Sequence, residues 1–223
     1  MRIRKKKHLE ERLEKVKDIV LSADRDIANI TIANKDKRYF DYTSLFSNDN
    51  PVSLEVGCGK AGFITEVAKN NLNDNYIAVE LLQNIIVMGA ERVKKEGIKN
   101  IMFFNCGAEY LPRYIKPSSI KTIFLNFSPP YPAGTYENRR LTKDSLIEAY
   151  KDFLIDGGQV LQKTDDKDFF LYSFSQFEKY GFIVEDISKK IESGEIANVE
   201  TEYEKKFRAQ NMPVYALMAT VKK

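Results

Sequence analysis

Between residues 52 and 164 the chain switches repeatedly between two hydrophobic periods, and that alternation is the tightest constraint on its fold. Short apolar runs stand at VSLEV (52 to 56), YIAVE (76 to 80), IMFFN (101 to 105), KTIFLN (121 to 126) and QVLQKT (159 to 164). They read as strands buried on both faces. Helical segments fall between them at about 62 to 71, 83 to 96 and 142 to 155, with Gly97 and the pair Gly157 and Gly158 as stops. Repeated strand, helix, strand order needs right-handed crossovers, which place the strands in a parallel sheet with helices on both faces.

The end of the chain changes the rule. FIVEDIS (182 to 188) and VYALMATV (214 to 221) read as strands with no clear helix between them, which favours an antiparallel closing pair and seven strands in all. Residues 189 to 213 are too polar for core and too long for a tight hairpin, the mark of a functional or unstructured loop. Near the start, Leu9, Leu13, Val16 and Val20 share helical spacing. The expected division is a basic N-terminal arm and helix at 1 to 46, then one domain at 47 to 223. A chain of 223 residues, 43% of them hydrophobic, can bury one full core.

Composition also removes chemistries. The single histidine, His8, lies in a basic segment, so neither a histidine relay nor a zinc site is expected, and no metal is assigned. Cys58 and Cys106 sit in unrelated segments and read as reduced thiols. No apolar stretch approaches the roughly 20 residues that span a bilayer. A cytoplasmic protein without membrane attachment is the expectation, as monomer or homodimer. Net charge is only +3, but the seven residues after Met1 hold five Lys or Arg and His8, six basic residues in an arm suited to lie along phosphate or to remain solvated.

LEVGCGKAGF (54 to 63) is a strand, a glycine turn and a helix start. Gly57 and Gly59 let a ligand approach the backbone, and the helix beginning near Ala61 offers free N–H groups. GCGKAG also fits the dinucleotide spacing G-x-G-x-x-G, and a plain tight turn would need the same glycines. Glu55, ahead of the first glycine, would repel a pyrophosphate and suits a cationic ligand such as the methionine moiety of S-adenosylmethionine. Glu80 ends the next strand, where a carboxylate can accept both hydroxyls of a ribose. Together these residues resemble the S-adenosylmethionine-dependent methyltransferases, a Rossmann-like class I fold. That resemblance places the adenine on Asn105 and the backbone of Gly107 and Ala108.

Ligands of such sheets lie beyond the carboxyl ends of the strands, so the loop after the fourth strand faces the reacting group. Its SPPY (128 to 131) resembles the loop of amino-methyltransferases, in which prolines fix a carbonyl against an exocyclic amine and Tyr131 stacks on a base. A rigid turn without chemistry is the simpler alternative. The wider series is LEVGCGK (54 to 60), YIAVEL (76 to 81), LNFSPPYP (125 to 132), RRLT (139 to 142), KTDDKDFF (163 to 170) and TEYEKKF (201 to 207). In order and spacing it is similar to the bacterial tRNA (guanine-N7)-methyltransferases over nearly the whole chain.

The resemblance implies methyl transfer from S-adenosylmethionine to N7 of a guanosine in the variable loop of tRNA. It implies Tyr131 and Asp165 at the chemistry, and Asp165, Thr201, Glu202, Tyr203 and Glu204 on the substrate side. Arg139 and Arg140, with Lys205, Lys206 and Arg208, are expected along phosphates. Three positions depart from the family pattern: Pro129 stands at the usual acid, Ala133 at a substrate-contacting lysine, and Gly107 at the aspartate of the adenine segment. Guanine N7 carries a lone pair and no proton, so a missing acid slows the step without forbidding it. Glu202 or Glu204 is expected to accept from guanine N1–H and N2–H2. Two alternatives remain: an exocyclic-amine methyltransferase using SPPY, and a non-catalytic tRNA-binding relative.

Overall fold

The computed structural model describes residues 8–24, 26–132, 134 and 136–223. The arm at 1–7, and with it most of the expected phosphate-binding run, lies outside the described residues, as do Ala133 and Thr135. The elements run α1 (Leu9–Glu14), β1 (Val20–Ser22), α2 (Ile30–Ala33), α3 (Tyr42–Phe46), β2 (Val52–Val56), α4 (Gly62–Asn70), β3 (Asn75–Glu80), α5 (Gln83–Lys95), β4 (Ile101–Asn105), α6 (Leu111–Tyr114), β5 (Ile120–Asn126), α7 (Asp144–Phe153), β6 (Leu154–Thr164), α8 (Lys167–Lys179), β7 (Ile183–Asp186), α9 (Ser188–Glu192), α10 (Glu202–Ala209) and β8 (Tyr215–Thr220).

Eight strands form one sheet in the order β1, β4, β3, β2, β5, β6, β8, β7, and β8 runs antiparallel to both of its neighbours. The mostly parallel α/β sheet with an antiparallel last strand is as the sequence implies. Central strands β2 and β4 are buried along their whole length and β3 up to half-buried Glu80 at its end, because helices cover both faces. On one face Tyr76, Ala78 and Phe103 pack against Ile64 and Val67 of α4 and Ile86, Val87 and Ala90 of α5. On the other, Leu54, Ile77 and Phe104 join Ile147, Tyr150 and Phe153 of α7 and Phe177 of α8.

The expectation of seven strands is corrected by β1. The N-terminal helix stops at Glu14, and Val20 belongs to a strand, because the open edge of β4 offers the backbone a ladder that an exposed helix end cannot match. Ile19 accepts from Phe103 N–H at 2.8 Å and Asn105 from Ala23 N–H at 3.3 Å. Arg12 holds α1 on α5 through Glu91 at 2.7 and 2.6 Å. Buried Arg113 ties the following segment down, reaching Asp26 at 2.9 Å and Asp36 at 2.7 Å.

Three further expectations change. Gly157 and Gly158 end no helix: α7 stops at Phe153, and Gly157, at φ 71°, bends strand β6 where its register with β5 shifts. The polar stretch before β8 is not without helices, since α9 and α10 lie in it. Helix α8 is an addition to the expected elements, capped by Asp166, whose Oδ1 accepts from Phe169 N–H at 2.7 Å.

Candidate active site

The carboxyl ends of β2, β3 and β4 form one rim. After Val56 the chain turns with φ of 83° at Gly57 and 56° at Gly59, then enters α4 through Ala61, also in the left-handed region. Val79 O accepts from Gly57 N–H at 2.9 Å and from Cys58 N–H at 3.0 Å, so the turn is pinned to the neighbouring strand. Glu80 fixes it from the other side: Oε2 accepts from Gly59 N–H at 3.1 Å and Oε1 from Leu82 N–H at 2.8 Å. Asn105 spends its amide on the carbonyls of Glu80 (2.9 Å) and Leu81 (3.0 Å), which sets the turn after β3.

Glu55 lies beneath this turn, 2% exposed. Its Oε1 accepts from Asn126 Nδ2 at 3.0 Å, while Oε2 is buried with no hydrogen-bond partner. Burial pushes the carboxyl up to about 8, against the pull of Asn126 and of the Ile64 backbone N–H. A buried carboxylate oxygen without a donor is costly unless a ligand completes it. Asn105 Oδ1 and Ser128 Oγ are buried and unpartnered on the same strand ends. These orphans fit a ligand with a cationic end and several donors. S-adenosylmethionine has a sulfonium, an ammonium, a ribose diol and an adenine amine, and the donor-poor rim matches it. Among the described residues no group of three His, Cys, Asp or Glu side chains is placed to hold a metal ion.

The second rim follows β5 and β6. Phe127 and Tyr131 both take positive φ, 47° and 36°, a strained geometry for bulky residues that is kept only where the surroundings enforce it. Arg140 supplies much of that enforcement. It is 6% exposed, donates from Nε to the carbonyls of Pro130 (2.7 Å) and Tyr131 (2.9 Å), and its guanidinium lies 4.2 Å from the centre of the Tyr172 ring. Arg139 is exposed, 4.9 Å over the Tyr136 ring. Pro129 and Pro130 are exposed, and Asp165 follows β6, half-buried and with no side-chain hydrogen bond or ion pair among the described residues.

Helix α10 closes the second rim. Thr201 caps it, its Oγ1 accepting from Glu204 N–H at 2.9 Å. Glu204 points inward, where Lys163 Nζ lies 2.9 Å from its Oε2. Burial alone would push the Glu204 carboxyl up, but hydrogen bonds from Lys163, Arg208 and Asn198 outweigh it and hold it below the usual range. Burial also draws the Lys163 ammonium below the ordinary lysine range. Tyr203 faces outward at 60% exposure, beside exposed Glu202, Lys205 and Lys206.

Residues 49–217 match the family model described as "Putative methyltransferase". The tRNA (guanine-N(7)-)-methyltransferase of Bacillus subtilis (strain 168) is 36% identical over 189 residues, 84% of this chain and 89% of that protein. The protein of the same name from Streptococcus thermophilus (strain CNRZ 1066) is 32% identical over 223 residues, the full length of both. The chain belongs to the tRNA (guanine-N7)-methyltransferase family. A solved 16S rRNA methyltransferase, KamB, shares the fold with a TM-score of 0.60 at 15% identity, covering 84% of this chain and 96% of that one.

The two rims place the sequence candidates of this family member unequally. Glu55, Gly57, Gly59, Glu80, Asn105, Gly107 and Ala108 gather on the first rim, with Gly107 opening a short 3-10 turn and Ala108 buried within it. Tyr131, Asp165, Glu202 and Tyr203 belong to the second. Thr201, Glu204 and Arg140 are there too, but their polar atoms are engaged inside the protein. Sequence reasoning missed Lys163, Asn198 and Phe127. The T-x-x-E spacing of Thr201 and Glu204, a helix-start signal, was the clue to α10.

Proposed function

We propose that the chain transfers the methyl group of S-adenosylmethionine to N7 of a guanosine in tRNA, with the guanosine of the variable loop as target. The observation that carries this reading is the likeness to a relative of that name along all 223 residues. When bound, S-adenosylmethionine supplies an electrophilic methyl carbon on a sulfonium. The N7–C bond forms as the S–C bond breaks, and the positive charge moves to the purine without any proton transfer. The protein's task is therefore to orient and to balance charge.

Glu55 would face the cationic end of the cofactor, and Glu80 would offer its remaining lone pairs to the ribose diol. Gly59 and Leu82 N–H hold that carboxylate still. Asn105, Gly107 and Ala108 would border the adenine. On the substrate rim, Tyr131 would stack on the guanine, and Asp165, without a hydrogen-bond or ion-pair partner among the described residues, would face the purine as it becomes cationic in place of the acid missing at Pro129. Glu202 and Tyr203 would meet the substrate from α10, while Arg139, Lys205 and Lys206 would contact phosphates. The loop carbonyls of Pro130 and Tyr131 are already taken by Arg140, which disfavours their use on an exocyclic amine.

The deciding experiment is to incubate the protein with labelled S-adenosylmethionine and unmodified tRNA, then digest and identify the nucleoside by mass. Recovery of 7-methylguanosine is the expected result, and mapping the labelled fragment locates the position. 6-Methyladenosine or 4-methylcytidine would replace this reading with amine methylation, and bound tRNA without product would leave a non-catalytic protein.

A further inference from the structure

Helix α10 is tied to three walls of the site at once. To β6 it is joined by Glu204, 0% exposed, whose Oε2 meets Lys163 Nζ at 2.9 Å. The same ammonium donates to Val199 O at 3.0 Å and to Asn198 Oδ1, so its three protons have three acceptors. Glu204 Oε1 in turn accepts from Asn198 Nδ2 at 2.8 Å and Arg208 at 3.0 Å. Both carboxylate oxygens of Glu204 are thus engaged inside the protein.

The second wall is the base loop. Lys163 O accepts from Phe127 N–H at 2.9 Å, and the Phe127 ring lies 6.0 Å from Tyr203 and 5.7 Å from Phe207 of α10. The third wall is the start of α4 with its neighbour α5: Glu202 Oε1 stands 3.2 Å from where a Cβ on Gly62 would be and 3.3 Å from Arg92 Nη2 of α5. Lys163 also lies 5.5 Å over the Phe63 ring. One lysine thus touches the element carrying the outward Tyr203, the strained loop carrying Tyr131 and the helix that starts at the glycine turn.

A buried ion pair adds little stability over an apolar pair of equal shape, and its recognised use is to fix one arrangement among several. We propose that the buried pair of Lys163 and Glu204 sets helix α10 as the wall of the guanosine pocket, which makes Lys163 a positioning residue for methyl transfer to tRNA. This deepens the function proposed above and rests on it. It also reassigns Glu204 from a guanine contact to the partner that locks the helix, leaving exposed Glu202, paired at 3.3 Å with Arg92, as the acidic side chain of α10 on the substrate side.

The test compares Lys163→Met, Glu204→Gln and the double variant, reading the KM for tRNA, the Kd for S-adenosylmethionine and backbone hydrogen exchange over residues 198–209. Each variant is expected to raise the tRNA KM by about tenfold or more while cofactor affinity stays within about twofold, since only substrate placement is disturbed. Exchange over 198–209 rises without any RNA present. A single variant leaves one buried charge and can fail to fold, so the charge-free double variant decides the matter. A double variant with the wild-type tRNA KM, with tRNA and cofactor constants raised by the same factor, or with unchanged exchange overturns the proposal. Failure of the wild-type protein to form 7-methylguanosine would instead remove the function above, and the exchange measurement would still decide whether the pair sets α10.

Discussion

The two rims of the site are built from different materials. The rim on β2, β3 and β4, proposed above for the cofactor, is mostly backbone: the glycine turn hangs from Val79 O and from the Glu80 carboxylate, and Asn105 holds two more carbonyls. The rim on β5, β6 and α10, proposed for the substrate, is mostly side chain, with Arg140 holding loop carbonyls nine and ten residues away and Lys163 reaching Glu204 across 41 positions. A backbone-built cradle depends on conformation at a few fixed positions. A side-chain-built wall can exchange its members if the clamp survives. That difference explains how Pro129 can stand where the family resemblance places an acid without the loop losing its course.

The largest effect should follow from breaking the backbone rim. Gly57→Val puts a β-branched residue at φ 83°, where the backbone itself resists by about 1–2 kcal/mol, although the space beside Leu141 is open. Isothermal titration should show S-adenosylmethionine affinity reduced by about 100-fold or more, because the turn can no longer hang from Val79 O and the Glu80 carboxylate in the course that lets a ligand approach its backbone. Filter retention of tRNA should change by less than about threefold. Retained cofactor affinity would mean that the turn is not the cradle, and a matching loss of tRNA would deny that the rims are separable.

The second effect belongs to the side-chain rim. Arg140→Ala removes the donor to Pro130 O and Tyr131 O and the cation stacked on Tyr172, costing about 2–4 kcal/mol in thermal or urea unfolding. With the loop at Phe127 and Tyr131 free to relax from positive φ, kcat should fall by about 100-fold, the scale of a 1 Å misplacement. Cofactor affinity should hold. Single-turnover methylation beside calorimetry separates the two, and a parallel fall in cofactor affinity would join the rims into one cooperative unit.

How much of this was legible from the sequence follows the same division. Strands at 52 to 56 and 101 to 105, the glycine turn and Glu80 are local patterns, and the structure places them where the pattern does. The N-terminal helix failed at Val20 because helical spacing is a local signal and the open edge of β4 is not. The kink at Gly157 was misread because a positive-φ glycine ends a helix and bends a strand equally well. Lys163 was hidden because a lysine in a strand reads as an exposed charge, and its burial depends on Asn198 and Glu204 arriving from 35 and 41 residues further on. The inward turn of Glu204 was hidden for the same reason.

The smallest effect, counted per unit of pH, is a pH dependence confined to the rim that carries Glu55. Glu55 has a folded value of about 8, against an ordinary carboxyl value of 4.5, through burial. Between these values the folded protein holds a proton that the unfolded chain has released, so stability of the cofactor-free protein falls as pH rises through that window. A cationic ligand needs the ionised form. Its affinity should therefore strengthen by up to about tenfold per unit from pH 6 to 8, level off above 8, and release a proton on binding. Titrations in buffers of different ionisation enthalpy read that proton directly, and Glu55→Gln should remove both the slope and the release. A flat wild-type profile would mean that Glu55 is already ionised and paired within the fold. The first rim would then be closed by side-chain charge much as Lys163 closes the second, and the contrast between the two would rest on the glycine turn alone.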